Sequence, residues 1–108
     1  MVTVKFGDNE YDLDTSWKAS KDFNSSIGDP LLMAIEASTG ANVFNTDKVI
    51  QAIYIGIKNA GGNLPKSEVA ELCHKYGMLN YYSVAAGYLV ALVSGEVSED
   101  DEGDDEKK

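Results

Sequence analysis

The apolar residues of this chain change their spacing once, near residue 14, and this change restricts the fold more than any other feature. Over residues 1–14, apolar and polar side chains alternate, as in a strand with one face in water. The apolar members of this pattern are Val2, Val4, Phe6, Tyr11 and Leu13. Gly7-Asp8-Asn9 interrupts them with turn-forming residues. We predict a β-hairpin over 1–14, and because an isolated hairpin is marginal in water, its apolar face must pack on the rest of the chain.

From residue 16 onward the apolar spacing becomes three and four, which is typical of helices. Five short helices are predicted, because capping or proline residues recur ahead of the apolar stripes. These start signals are Thr15 or Ser16, Asp29 with Pro30, Asn45 or Thr46, Pro65, and Asn80. Glycines that can end the helices follow at Gly28, Gly40, Gly61-Gly62, Gly77 and Gly95. On the second helix, Leu31, Leu32 and Ile35 form the stripe expected to pack against a core.

These patterns predict a mainly α protein with an N-terminal β-hairpin, an α+β arrangement with about five short helices in a small bundle. The chain has 108 residues, of which 44% are apolar. This size and composition suit one globular domain with its own core. We assign that domain to residues 1–95, with the hairpin at 1–14 and the helices at 16–95.

Most of the net charge of −9 lies in residues 96–108, which contain eight acidic and two basic residues. A block of like charges repels itself and buries too little apolar surface to offset the ordering entropy. We therefore predict a disordered acidic tail over 96–108. Three roles remain open for it: keeping the protein soluble, masking the basic surface of a partner, or mimicking a nucleic-acid backbone.

Composition argues against several classes of partner and compartment. The chain contains no arginine and is negatively charged, which disfavours binding to nucleic acids and to anionic membranes. Its longest apolar-rich stretch, 81–93, is short of the ~20 residues that span a bilayer. The first residues lack the layout of a signal peptide. A single cysteine, Cys73, allows no internal disulfide and suits a reducing environment. We expect a soluble cytoplasmic protein.

The inventory of reactive residues predicts no enzyme, no cofactor and no metal site. Cys73 and His74 are neighbours on a predicted helix, where adjacent side chains point about 100° apart and do not form a nucleophile–base pair. The glycine pair at 61–62 follows a helix, unlike a phosphate-binding loop, which precedes one.

Alternating acidic residues in the hairpin superficially suggest a calcium loop. They are Asp8, Glu10, Asp12 and Asp14. A calcium loop counted from Asp8 needs glycine at its sixth position and glutamate at its twelfth, where this chain has Leu13 and Ala19. The solvated face of a strand explains the pattern better.

The fifth predicted helix carries the candidate binding surface. One face suits the core of the domain: Tyr81, Val84, Tyr88 and Leu92. A second apolar stripe lies on another side, and a helix that is apolar nearly all round is buried, often by a partner. Tyrosine is also favoured at protein interfaces. The predicted protein-binding residues are Tyr82, Ala86, Tyr88, Val90 and Val93. The alternative is that the hairpin or the third helix covers the second stripe internally.

Several sequence segments resemble the tail assembly chaperones of long-tailed, siphovirus-type phages and prophages of Gram-positive bacteria. They are VKFGDNEYDLD at 4–14, the helix entry at Trp17, IQAIYIGIKNAGG at 50–62, and PKSEVAELC at 65–73. The resemblance covers roughly residues 1–95 and rests on turns, glycines and apolar spacing.

The resemblance implies a function in viral tail morphogenesis. Such chaperones bind the tape measure protein, keep this long helical chain soluble and recruit major tail tube protein subunits around it. They act in the bacterial host cytoplasm and are absent from the mature virion. Some exist in a longer, frameshifted form. Self-association of several copies on one client also fits this function.

Two rival functions remain. One is a small structural tail or connector protein that stays in the virion. The other is an acidic DNA-mimic inhibitor of a nucleic-acid enzyme, for which the tail at 96–108 would be essential.

Overall fold

The computed structural model describes residues 2–95, and the predicted disordered tail lies outside these described residues. The elements are β1 (Val2–Phe6), β2 (Asn9–Leu13), α1 (Trp17–Ser26), α2 (Pro30–Ser38), α3 (Thr46–Asn59), α4 (Lys66–Tyr76) and α5 (Met78–Ser94). The fold class is confirmed: an N-terminal antiparallel hairpin is followed by five helices.

The hairpin closes through two residues, Gly7 and Asp8, and pairs Val4 with Tyr11 in an antiparallel register. Gly7 has a φ of 64°, and a Cβ at this position would lie 2.6 Å from the hydroxyl oxygen of Tyr76. The left-handed backbone therefore favours glycine here, and any side chain would also have to push the hydroxyl end of Tyr76 aside. The inward side chains of the hairpin are buried: Val4, Phe6 and Leu13.

Helix α3 is the centre of the core and packs against β2, α1, α4 and α5. Half of its fourteen residues are buried: Val49, Ile50, Ala52, Ile53, Ile55, Gly56 and Ile57. At Gly56 the hairpin comes so close that a Cβ would lie 2.8 Å from the Cβ of Leu13. The amide of Asp14 donates a 3.0 Å hydrogen bond to the carbonyl of Gly56, which fixes β2 on α3.

The predicted caps of three helices are confirmed, and one is wrong. The side chains of Ser16, Asp29 and Asn45 accept hydrogen bonds from the first turns of α1, α2 and α3. Asn80 does not cap α5, which already begins at Met78. Gly77, with a φ of 104°, turns the chain within a single residue, so no separate loop precedes α5. The amide group of Asn80 donates instead to the carbonyl of Tyr76 at the end of α4, at 2.9 Å.

Two buried tyrosines of α5 form hydrogen bonds with the backbone of the hairpin and of the residue that follows it. The hydroxyl of Tyr81 donates to the carbonyl of Lys5 at 2.8 Å, and that of Tyr88 donates to the carbonyl of Asp14 at 2.5 Å. The ring of Tyr81 also lies 5.0 Å from that of Phe6, centre to centre. These contacts join the two ends of the described chain, so the hairpin and α5 form one body with α3.

Candidate protein-binding site

Helix α1 presents a mixed apolar and polar face to solvent because its other face is used by the core. Ala19 and Phe23 are buried against α3 and its neighbours. The opposite face lines an open cleft of about 370 Å³, at positions i, i+3, i+4 and i+7: Trp17, Ser20, Lys21 and Asn24. Leu31 from α2 and Val93 from α5 complete its apolar lining. We call this space the cleft.

Helix α2 exposes large apolar side chains on its outer side. Leu31, Leu32 and Ile35 are 55%, 57% and 53% exposed, and we call these three residues the α2 face. The prediction that their stripe packs against the core is wrong, because Pro30 and Met33 occupy the inward side instead. Glu36 is the only charged residue in this nine-residue helix. The α2 face is therefore an apolar surface without a covering element in the described structure.

The second stripe of α5 is partly covered, and α2, α3 and the loop between them lie near it. Tyr82 is half-buried, and its ring packs edge-on against Phe44 at 6.2 Å between centres. Ala86 and Val93 are also half-buried, whereas Val90 remains 54% exposed. Of the predicted binding residues, Val90 is thus the freely accessible one, and Val93 contributes to the cleft.

The contacts of α5 place its exposed residues beside the α2 face. Leu31, in the first turn of α2, shares the cleft with Val93, in the last turn of α5. Phe44, which follows α2, contacts Tyr82 near the beginning of α5. We infer that the two helices run antiparallel. Leu31 at the beginning of α2 lies near Val93 at the end of α5, and Ile35, one turn later in α2, therefore lies beside the preceding turn of α5.

Tyr88 must be removed from the predicted binding residues. Its side chain has no solvent exposure, and its ring lies 6.4 Å from that of Phe23 in the core. Burial, together with the nearby charges of Asp14 and Asp22, raises the pKa of the Tyr88 phenol far above its usual range. Tyr88 has a structural role because its hydroxyl satisfies the carbonyl of Asp14.

A second, separate cleft of about 340 Å³ lies at the other end of α5. Leu79, which is 85% exposed, lines it together with Phe44, Val49, Met78 and Tyr82. This cleft was not predicted, because Leu79 precedes the expected beginning of α5. We call it the Leu79 cleft.

A network of polar side chains borders α1 away from the cleft. The amide of Asn59 donates to a carboxylate oxygen of Asp22 at 3.0 Å, and Lys18 lies 3.7 Å from the same carboxylate. The hydrogen bond from Asn59 and the charges of Lys18 and Lys58 lower the pKa of Asp22. The ammonium group of Lys18 also donates to Asn59 at 3.0 Å.

The reactive residues are placed unfavourably for catalysis. Cys73 is fully buried, and burial raises the pKa of its thiol to about 11, so the reactive thiolate is disfavoured. His74 is exposed on the adjacent position of α4. Within residues 2–95, no group of three or more histidine, cysteine or carboxylate side chains could hold a metal ion. No helix in this range is long and apolar enough to cross a membrane.

Comparison with protein-family models, with curated proteins and with solved structures found no match. The functional interpretation therefore rests on the surface itself and on the sequence resemblance to tail assembly chaperones.

Several residues of the candidate site were missed by reasoning from the sequence: Trp17, Leu79 and the α2 face. A usable signal was present for α2, because a helix with one charged residue cannot bury all its sides in a domain of this size. No comparable signal marked Leu79.

Proposed function

We propose that this chain is a phage tail assembly chaperone that binds amphipathic helices of the tape measure protein. The observation that carries the proposal is the α2 face, where three large aliphatic side chains are each more than half exposed on one short helix. Small soluble monomers rarely leave such a surface without a binding partner. The resemblance of the sequence to tail assembly chaperones supplies the identity of the partner.

The arrangement of the α2 face suits a helical client. Leu31 and Ile35 are one turn apart, and the cleft adds Trp17 and Val93 beside them. An amphipathic helix that lies along this surface can place its own apolar residues, spaced three and four apart, between α1 and α2. Burial of each leucine or isoleucine side chain contributes about 1.5–3 kcal/mol at most, so a few contacts give reversible binding.

Reversible binding is the property that an assembly chaperone needs, since it must leave before the tail is complete.

The Leu79 cleft lies apart from the α2 face and gives the chain a second apolar surface. Two surfaces fit the proposal that the chaperone holds the tape measure protein and also recruits major tail tube protein. We place this activity in the host cytoplasm and not in the mature virion.

The proposal is tested by co-expression of the chain with the long helical protein encoded beside it. The client is expected in the soluble fraction only when this chain is present, and co-purification should survive moderate salt because the contact is apolar. The Leu31→Gln, Ile35→Gln double variant should leave the client insoluble. A client that is soluble without the chain, or rescued equally by the double variant, would contradict the proposal.

The two rival functions give different outcomes. A structural tail component would be found by mass spectrometry in purified virions, whereas a chaperone is absent from them. A DNA-mimic inhibitor would lose its function when the acidic residues at 96–108 are neutralised, whereas client binding by the α2 face would continue.

A further inference from the structure

We propose that the second stripe of α5 is a covered docking surface for an amphipathic helix of another protein, and that α2 is the removable part of its cover. We call this surface the α5 stripe, and its residues are Tyr82, Ala86, Val90 and Val93. The proposal does not rest on the function proposed above, which concerns the outer side of α2. A client helix would be one partner with the required chemistry.

Few buried side chains hold α2 on the domain. Its buried residues are Pro30 and Met33, and of these only Met33 has a long side chain. Helix α1 is a suitable comparison because it has ten residues against nine. It buries Ala19 and the whole ring of Phe23 without solvent exposure. Since burial of apolar area is the main source of stability, α2 should detach more easily than α1.

Hydrogen bonds and chain geometry also allow α2 to detach. In the part of the chain that the structure describes, the hydrogen bonds of α2 join only residues within 29–41, so none holds it to another element. Glycines with positive φ, Gly28 and Gly40, flank the helix and can act as hinges. A helix of nine residues is too short to persist alone in water, so α2 would unfold as it leaves α5. Opening is therefore a local unfolding within an otherwise folded domain.

The surface of α5 beside α2 is apolar along its whole length. No residue of α5 carries a charge. With α2 in place, Tyr82, Ala86 and Val93 are half-buried, and Val90 is 54% exposed. Departure of α2 would expose these residues as one stripe with the helical spacing i, i+4, i+8 and i+11. Such an uncharged stripe favours contact with another apolar helix over exposure to water.

The chemistry of the partner follows from what α2 itself places toward α5 and the core. Its inward residues are Pro30, Met33 and Ala34, which have the spacing i, i+3 and i+4 of one helical face and carry no charge. A partner that replaces α2 is therefore a helix with small or flexible apolar side chains at this spacing. The α5 stripe extends over about three helical turns, so a longer helix than α2 can cover more of it.

Binding of such a partner is linked to the opening of α2. Only the open state exposes the α5 stripe, so the apparent affinity of the partner is its intrinsic affinity multiplied by the open fraction. A substitution that loosens α2 should therefore strengthen binding, although it removes atoms from the protein. A site on the outer side of α2 would show the opposite effect, because it needs α2 in place.

Amide hydrogen exchange of the full chain, without any partner, measures the opening. Amides of α2 should exchange at least about tenfold faster than those of α1, after correction for intrinsic rates. Met33→Ala should accelerate exchange in α2 by at least about tenfold more and leave α1 and α3 unchanged. Ile35→Ala is the matched control on the same helix, because this side chain is 53% exposed, and should change exchange in α2 by less than about twofold. Equal protection of α1 and α2, or acceleration of all helices together by Met33→Ala, would overturn the proposal.

A synthetic helical peptide then measures the docking. The probe has about five turns, with leucine and alanine on one face and glutamine on the other, so it carries no charge. Met33→Ala should bind it at least about tenfold more tightly than the parent, in proportion to the faster exchange of α2, and Ile35→Ala should not bind it more tightly. Equal or weaker binding by Met33→Ala would overturn the docking surface. Neither measurement uses the tape measure protein, so failure of both would leave the proposed chaperone function standing.

Discussion

Trp17 and Val93 line the same cleft, although they belong to the first and last helices of the described chain. Their proximity depends on the core beneath them, where Phe23 of α1 and Tyr88 of α5 pack together. The outward faces of α1 and α5 thus form the accessible surface, and the inward faces of the same helices form the core. Substitutions on the two faces should therefore separate binding from stability.

Removal of the hydroxyl of Tyr88 tests its structural role. Tyr88→Phe keeps the buried ring but leaves the carbonyl of Asp14 without its donor. We expect a loss of about 1–3 kcal/mol in the free energy of unfolding, measured by urea denaturation. Tyr82→Phe is the control, because its hydroxyl makes only an exposed contact of 3.5 Å with Asn42 and should change stability by less than about 0.5 kcal/mol. An equal effect of the two variants would refute this role.

The close approach of the hairpin to α3 predicts opposite effects for two helical glycines. Gly56→Ala would place a Cβ 2.8 Å from the Cβ of Leu13, and relief of this overlap should cost about 1–3 kcal/mol. Gly87→Ala meets no neighbouring atom within 4 Å and should stabilise α5 by about 0.5–1 kcal/mol. Thermal unfolding of both variants measures the difference. Stabilisation by both would mean that the hairpin does not lie against Gly56.

The buried thiol of Cys73 predicts a loss of stability at alkaline pH. Its pKa is raised to about 11 in the folded protein, whereas an unfolded thiol titrates near pH 8.5. Above pH 8.5 the unfolded chain loses a proton that the folded chain retains, so the free energy of unfolding falls as pH rises toward 11.

Cys73→Ala supplies the control for this pH dependence. The variant should show a flatter dependence between about pH 8.5 and 10, because the tyrosines contribute equally to both proteins and only the buried thiol is missing. Urea denaturation at a series of pH values measures it for both proteins. Identical slopes for parent and variant would exclude Cys73 as the source.

The hairpin, the number of helices and most of their beginnings could be predicted from the sequence because local chemistry decides them. Alternation defines the strands, and Ser16, Asp29 and Asn45 have side chains that cap a helix in almost any context. The prediction for Asn80 was wrong because the conformation of Gly77 lets α5 begin three residues earlier than a cap at Asn80 would allow.

The orientation of α2 could not be predicted, because a helix that is apolar on nearly all sides has no face that periodicity can select. Tertiary packing decided that Met33 is buried and Ile35 is exposed. The same ambiguity on α5 led to the error at Tyr88, which lies in the core beside the stripe that α2 partly covers. The candidate site is therefore a product of how α1, α2 and α5 meet. Of the predicted residues, Val90 is exposed, Val93 lines the cleft and Tyr82 lines the Leu79 cleft.

The most direct test of the account is the affinity of an amphipathic helical peptide from the tape measure protein, measured by titration calorimetry against two variants. Leu31→Gln with Ile35→Gln removes apolar contacts from the α2 face, and Leu79→Gln removes one from the Leu79 cleft. The double variant should bind at least about a hundredfold more weakly, since two lost apolar contacts correspond to about 3 kcal/mol. Leu79→Gln should bind as the parent does, and all three proteins should unfold at similar urea concentrations. Unchanged affinity of the folded double variant would contradict the central claim that the α2 face holds the client.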